Sequence, residues 1–161
     1  MDNNKLLDEY NEKLSQNPND CTTLYNRGKI YNNLKRFHDA LADFSLALQF
    51  EPDNLEILHQ RIESYMALNQ LDLAFNDLNK VIEHDKKDDY LHYLRGKIYF
   101  QRKHYENALN DFSEAIAFHK NSNKPLELYY LERSKCYEAL GDYLYAKSDL
   151  EKARDLSRND D

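Results

Sequence analysis

Apolar side chains return every three or four positions along most of this chain, with polar residues between them. That period keeps the apolar groups on one side of an α-helix. It predicts helices over roughly 22–34, 37–49, 55–68, 71–84, 88–101, 105–118, 126–140 and 143–157. An earlier stripe of Leu7, Tyr10 and Leu14 predicts one more helix in the first sixteen residues. None of these helices can bury its apolar side alone, so they are expected to pack as antiparallel pairs that stack on one another.

The pairs repeat one another. YNRGKIY at 25–31 returns as YLRGKIY at 93–99, and HQRIESY and LERSKCY stand in the same frame. Arg27, Arg61 and Arg95 are spaced by 34 residues, and Arg133 follows after 38. Each Arg is followed four residues later by Tyr31, Tyr65, Tyr99 or Tyr137. Further along each copy come Ala40, Ala74, Ala108 and Ala146, then Asp43, Asp77, Asp111 and Asp149. Phe44, Leu78, Phe112 and Leu150 follow directly, and Ala47, Val81, Ala115 and Ala153 close the pattern. Small residues in such columns mark places where two helix backbones approach. Gly28 and Gly96 are expected to face Ala40 and Ala108, with tyrosine filling the remaining space.

A 34-residue period with Gly, Tyr, Ala, Phe and Ala at these offsets resembles the tetratricopeptide repeat family, over about 21 to 157. The resemblance implies an all-α fold, a right-handed superhelical solenoid of antiparallel helix pairs with a concave groove. It divides the chain into a capping helix at 1–17, four repeats at about 21–54, 55–88, 89–122 and 127–158, and a frayed tail at 158–161. The chain departs from the family pattern in several columns. The favoured aromatic column reads Leu24, Leu58, His92 and Tyr130, and Ile62 and Ser134 replace Gly, which suggests wider helix spacing in the second and fourth repeats. The inter-repeat proline survives only as Pro52, and extra residues predict a longer loop near 120 to 125.

Both ends carry cap-like changes. Pro18 precedes Pro52 by one period, so the leading helix reads as the second half of an incomplete repeat. Lys13 there occupies the Ala47 column, tolerable only if that side meets water. In the last repeat Lys147 and Arg154 replace apolar residues in two stacking columns, as a polar end cap requires, so the array reads as complete.

Composition narrows the function. Charged residues make up 32% and apolar residues 41%, which fits a folded soluble chain; three Gly and three Pro leave little room for turn-rich β-structure. A net charge of −7 argues against nucleic-acid binding. No apolar run approaches about 18 residues, so no membrane span is expected, and the acidic start lacks a signal core. Cys21 and Cys136 have neither disulfide nor zinc spacing, which together with the rest predicts a reducing, cytoplasmic setting.

Candidate chemistry is sparse. The Arg and Asp columns read best as a ladder of ion pairs between first and second helices, with Glu9 hinting that each Arg meets the preceding repeat's acid. The histidines show no metal spacing; His84 and His119 sit near helix ends, His92 in a packing column, and only His59 on the groove side. No nucleophile elbow or phosphate-binding glycine loop appears, so no enzyme, metal or cofactor is expected.

The family resemblance places ligands against the first helix of each pair. The groove set is Tyr25, Asn26, Lys29 and Asn33; His59, Gln60 and Glu63; Tyr90, Tyr93, Leu94, Lys97 and Gln101; and Leu128, Leu131 and Lys135. Thr22, Asn32, Glu56 and Glu132 are expected on the same inward side. The first half is amide-rich, whereas the second is expected to expose aromatic and aliphatic groups, with a partner's apolar side chain anchored near Tyr93, Leu94 and Leu131. The two-carboxylate clamp that grips chaperone tails is absent. Its columns hold Tyr25, Lys29, Gln60, Tyr90 and Leu94 in one register, and His59, Glu63, Leu94, Leu128 and Glu132 in the other. The expected function is a non-catalytic scaffold or adaptor that binds a peptide or helix of another protein in its groove. The alternative is self-assembly through the N-terminal edge, where Leu6 is free.

Overall fold

A computed structural model describes residues 2–120 and 125–159. Among them there are helices and no strands. In order these are α1 (Asn3–Gln16), α2 (Cys21–Asn33), α3 (Phe37–Phe50), α4 (Leu55–Ala67), α5 (Leu71–His84), α6 (Asp89–Gln101), α7 (Tyr105–Phe118), α8 (Leu126–Leu140) and α9 (Tyr143–Asn159). The periodicity locates each of them to within a few residues; α9 runs two residues past its expected end. The longer loop expected near 120 to 125 lies largely outside the described residues. The chain divides into two compact units, residues 1–81 and 82–161.

Local chemistry explains where the helices begin and turn. Side chains of Asp2, Asp20, Asn54 and Asp88 accept hydrogen bonds from the first free amides of α1, α2, α4 and α6. Each such cap typically contributes about 1 kcal/mol. The turn inside each pair places one residue in the left-handed region: Lys35, Asn69, Lys103 and Gly141. Only the last is glycine, so this turn column could not be read from glycine placement.

In the first unit α1 packs on α2, α2 on α3, and α3 on α4. Its core is built from Leu24, Phe44, Ala47, Leu58, Ile62 and Leu78. Gly28 meets the ring of Phe44: a Cβ there would lie 2.5 Å from Phe44 Cε1. The same close approach joins Gly96 to Phe112 in the second unit, at 2.8 Å. In the second repeat the columns trade volume, Ile62 with Leu78, and both stay buried.

The Arg–Asp ladder exists, but each pair closes within one repeat. Arg27 holds Asp43, and Arg61 holds Asp77, through paired Nε and Nη2 bonds of 2.7–2.9 Å. The link to the preceding repeat goes through the remaining nitrogen to a neutral partner instead of an acid. Arg27 Nη1 donates to Asn11 Oδ1, and Arg61 Nη1 to Ser45 Oγ. Asn32, expected in the groove, belongs to a repeat joint: its amide donates to the Gln60 carbonyl, and its Oδ1 accepts from Ser64 Oγ. On α1, Leu7 and Leu14 are buried, while Lys13 is exposed and pairs with Glu9 at 2.7 Å.

The second unit packs α6 on α7, α7 on α8, and α8 on α9, with direct contact between α6 and α8. Arg95–Asp111 and Arg133–Asp149 repeat the bidentate geometry, and Arg133 Nη1 donates to Ser113 Oγ at 3.1 Å. Lys147 and Arg154 are exposed. The start of α9 is not polar, however: Tyr143, Leu144 and Tyr145 are all largely exposed.

Candidate functional site

The first helices carry the expected groove residues, and the structure sorts them into open and committed groups. In the first unit, α2 presents Tyr25 and Asn26 half-buried and Lys29 and Asn33 exposed. The ring of Tyr25 lies 6.4 Å from that of Phe44, and Lys29 Nζ stands 5.0 Å from its centroid. On α4, His59 and Gln60 are half-buried and Glu63 is exposed. A cavity of about 250 Å³ opens where α2 meets the start of α4, lined by Tyr25, Asn26, Glu51, Asn54 and Glu56 among others.

The second unit departs from expectation. Tyr93 and Leu94 are each only 6% exposed, so neither is an open apolar anchor. Tyr93 is held in a ring cluster with Tyr90 (6.0 Å, stacked), Tyr129 (5.1 Å) and Phe112 (6.1 Å). Burial, with Glu132 and Tyr90 adding to it, pushes its phenol up to about 12. Direct packing of α6 on α8 covers this flank, which an outward-facing helical position cannot reveal. Tyr90, Lys97 and Leu128 are half-buried, and Lys97 Nζ lies 5.5 Å over the Tyr93 ring. Gln101, Leu131 and Lys135 are exposed, with Lys135 paired to Glu132 at 2.9 Å.

A polar network in the same unit had no sequence signal beyond its residue types. His92 Nδ1 faces Asp111 Oδ1 at 3.2 Å, and its Nε2 faces the Lys86 carbonyl at 3.1 Å. Both partners are acceptors, so both contacts become hydrogen bonds only when both ring nitrogens carry protons, an arrangement that favours the cation. Burial works against that charge, but the bonds to Asp111 and Lys86 outweigh it and raise the pKa of His92. Beside it, Asp89 accepts from Tyr129 Oη at 3.1 Å and lies 2.8 Å from His119 Nδ1. These groups are locked between helices, which suits a structural role better than proton transfer.

Three kinds of likeness bear on this arrangement. The tetratricopeptide repeat family matches at residues 22–54 and again at 89–122. Tetratricopeptide repeat protein 13 of Homo sapiens is 30% identical over 132 residues, covering 78% of this chain and 15% of that protein. DnaJ homolog subfamily C member 7 of Mus musculus is 27% identical over 127 residues, covering 76% of this chain and 25% of its own length. The chain thus spans a quarter or less of either relative. Among solved structures, MamA 41-end from Desulfovibrio magneticus RS-1 superposes with a TM-score of 0.88 at 20% identity, covering 99% of this chain and 88% of that one. A MamA RS-1 double mutant gives 0.89 at 19% identity, with 99% and 87% covered. These neighbours place the fold among the all-α, tetratricopeptide-like superhelical solenoids. No helix among the described residues is long and apolar enough to cross a membrane.

Proposed function

Because the chain is a tetratricopeptide repeat protein, we propose that it is a non-catalytic interaction scaffold that holds a segment of another protein against the open faces of its first helices. Proteins of this repeat class generally bind proteins and generally carry no catalysis, since a stack of helix pairs offers extended surface more than an enclosed site. The observation that carries the reading is a division of labour among repeated columns. Arg and Asp recur in every repeat and are consumed in packing, whereas Asn33, Glu63, Gln101 and Leu131 stand exposed and differ from the residues in the same columns of other repeats; Lys29 and Lys135 are exposed as well, in a column that Glu63 interrupts. Variable, open side chains on a rigid frame are what a specific partner can read.

Affinity capture tests this. Wild-type protein is one bait; the other carries Lys29→Glu, Glu63→Lys, Leu131→Glu and Lys135→Glu, all at exposed positions. A protein held by the first and lost by the second is the expected result. Equal capture by both baits, with circular dichroism unchanged, would overturn it.

Self-assembly is a second reading with one observation in its favour. Leu6 and Tyr10 of α1 stand in the columns of Ala40 and Phe44, which are fully buried, yet both are only half-buried. A second copy covering this face would make the solution mass rise with concentration; a constant monomer mass would remove the reading.

A further inference from the structure

We propose that the cavity between α2 and α4 is a receptor for a lysine or arginine side chain of a basic partner segment. This rests on the scaffold reading above and assigns the chemistry of what one stretch of that face holds. The cavity, at about 250 Å³, is below the roughly 300–1,000 Å³ of small-molecule sites, a size that suits a single long side chain. Its walls supply what such a side chain needs. The ring of Tyr25 already stands under one ammonium, that of Lys29 at 5.0 Å, which shows the ring accessible to cations. The carboxylates of Glu51 and Glu56 line the same space, are exposed, and enter no ion pair among the described residues. Glu51 Oε2 accepts from Asn54 Nδ2 at 2.6 Å, a bond that fixes the carboxylate's direction.

A further carboxylate adds to the negative charge, against the partial positive charge of the α2 and α4 N-termini at the cavity. Glu63 lies seven residues after Glu56, two helical turns along α4 on the same face, and is likewise exposed and, among the described residues, outside any ion pair. At 1.5 Å per residue the two carboxylates are about 10 Å apart. Three residues of peptide in the polyproline II conformation span about 9 Å and return the side chain to the same side. On this face the carboxylates of Glu51, Glu56 and Glu63, outside any ion pair among the described residues, stand with the ammonium of Lys29. An anionic segment would meet like charge at each of these points, whereas a basic one with cations three residues apart would match two of them.

The test uses the full chain, labelled with nitrogen-15, and two short capped peptides of Gly and Ser. One carries two lysines three residues apart; the other carries acetyl-lysine at the same places, which keeps the size and removes the charge. The lysine peptide is expected to shift the amide signals of Tyr25, Asn26 and Glu56 in a saturable way, more weakly as salt is raised. Acetyl-lysine, or the Glu51→Gln with Glu56→Gln variant, is expected to weaken binding by about ten-fold or more. Equal binding of both peptides, no shifts with either, or an unaffected double variant would overturn the cation receptor. A captured protein lost by the four-site bait but held by Glu51→Gln with Glu56→Gln would leave the scaffold standing and remove this proposal. Lysine-peptide binding at the cavity, with equal capture by both baits, would do the reverse.

Discussion

Arg61 donates to both carboxylate oxygens of Asp77, at 2.7 and 2.8 Å, and its third nitrogen reaches Ser45 at 3.4 Å. One side chain thereby ties a helix pair together and touches the second helix of the preceding repeat. Asp77 is 5% exposed and Arg61 17%, so removing the cation leaves a carboxylate in a site that water hardly reaches. Arg61→Ala is expected to cost about 3–5 kcal/mol, read by urea denaturation. Asp77→Ala should cost a similar amount, and the double variant clearly less than the two together. An unchanged midpoint for Arg61→Ala would show that the pair contributes nothing to stability.

The contact of Gly28 with Phe44 leaves no room for a Cβ. Gly28→Ala is expected to destabilise by about 1–3 kcal/mol, because the phenyl ring must move within a packed core. Phe44→Leu reproduces the smaller partner that accompanies Ile62 in the second repeat. In that background the glycine substitution should cost less than half as much. Equal costs in both backgrounds would mean the ring is not what excludes the side chain.

His92 makes stability depend on pH. Its folded pKa is raised above the ordinary value of about 6.5. Its contribution is therefore complete below about pH 6.5 and is lost as pH rises through the folded value. The difference in stability between wild type and His92→Leu should shrink across that rise. Asp111 behaves oppositely: burial works against its charge, but Arg95 and His92 hold its pKa below the usual carboxylate value. Its contribution is present above that usual value and is lost on acidification through the folded one. A wild-type-minus-variant difference flat from pH 6 to 9 would refute the cationic histidine.

Cys136 is fully buried, and burial pushes its thiol up to about 12. At pH 8 the thiolate is then about one part in ten thousand. Cys21 is half-buried and is expected to react first with iodoacetamide. Cys136 should react only as fast as the fold opens. Equal alkylation of both in the native protein would contradict the packing of α8.

Much of this was legible from periodicity. Apolar spacing located the helices, and the Arg27, Arg61, Arg95 and Arg133 columns gave both the repeat and the ion-pair ladder. The hint from Glu9 that each arginine meets the preceding repeat's acid fails, because a column says which residues are equivalent and not which neighbour a long side chain reaches. Tyr93 and Leu94 were misread for a related reason. A position on the outward side of one helix can be covered by the next first helix, and a one-dimensional pattern carries no record of that neighbour.

The sequence by itself determined that this chain forms stacked helix pairs, because repeated apolar columns can be buried only by neighbouring copies of the same unit. Tertiary structure decided what remains available to a partner. Exposure depends on several helices at once, so only their packing could close Tyr93 into a ring cluster, turn Asn32 into a joint, charge His92 between two acceptors and leave the carboxylates beside Tyr25 open.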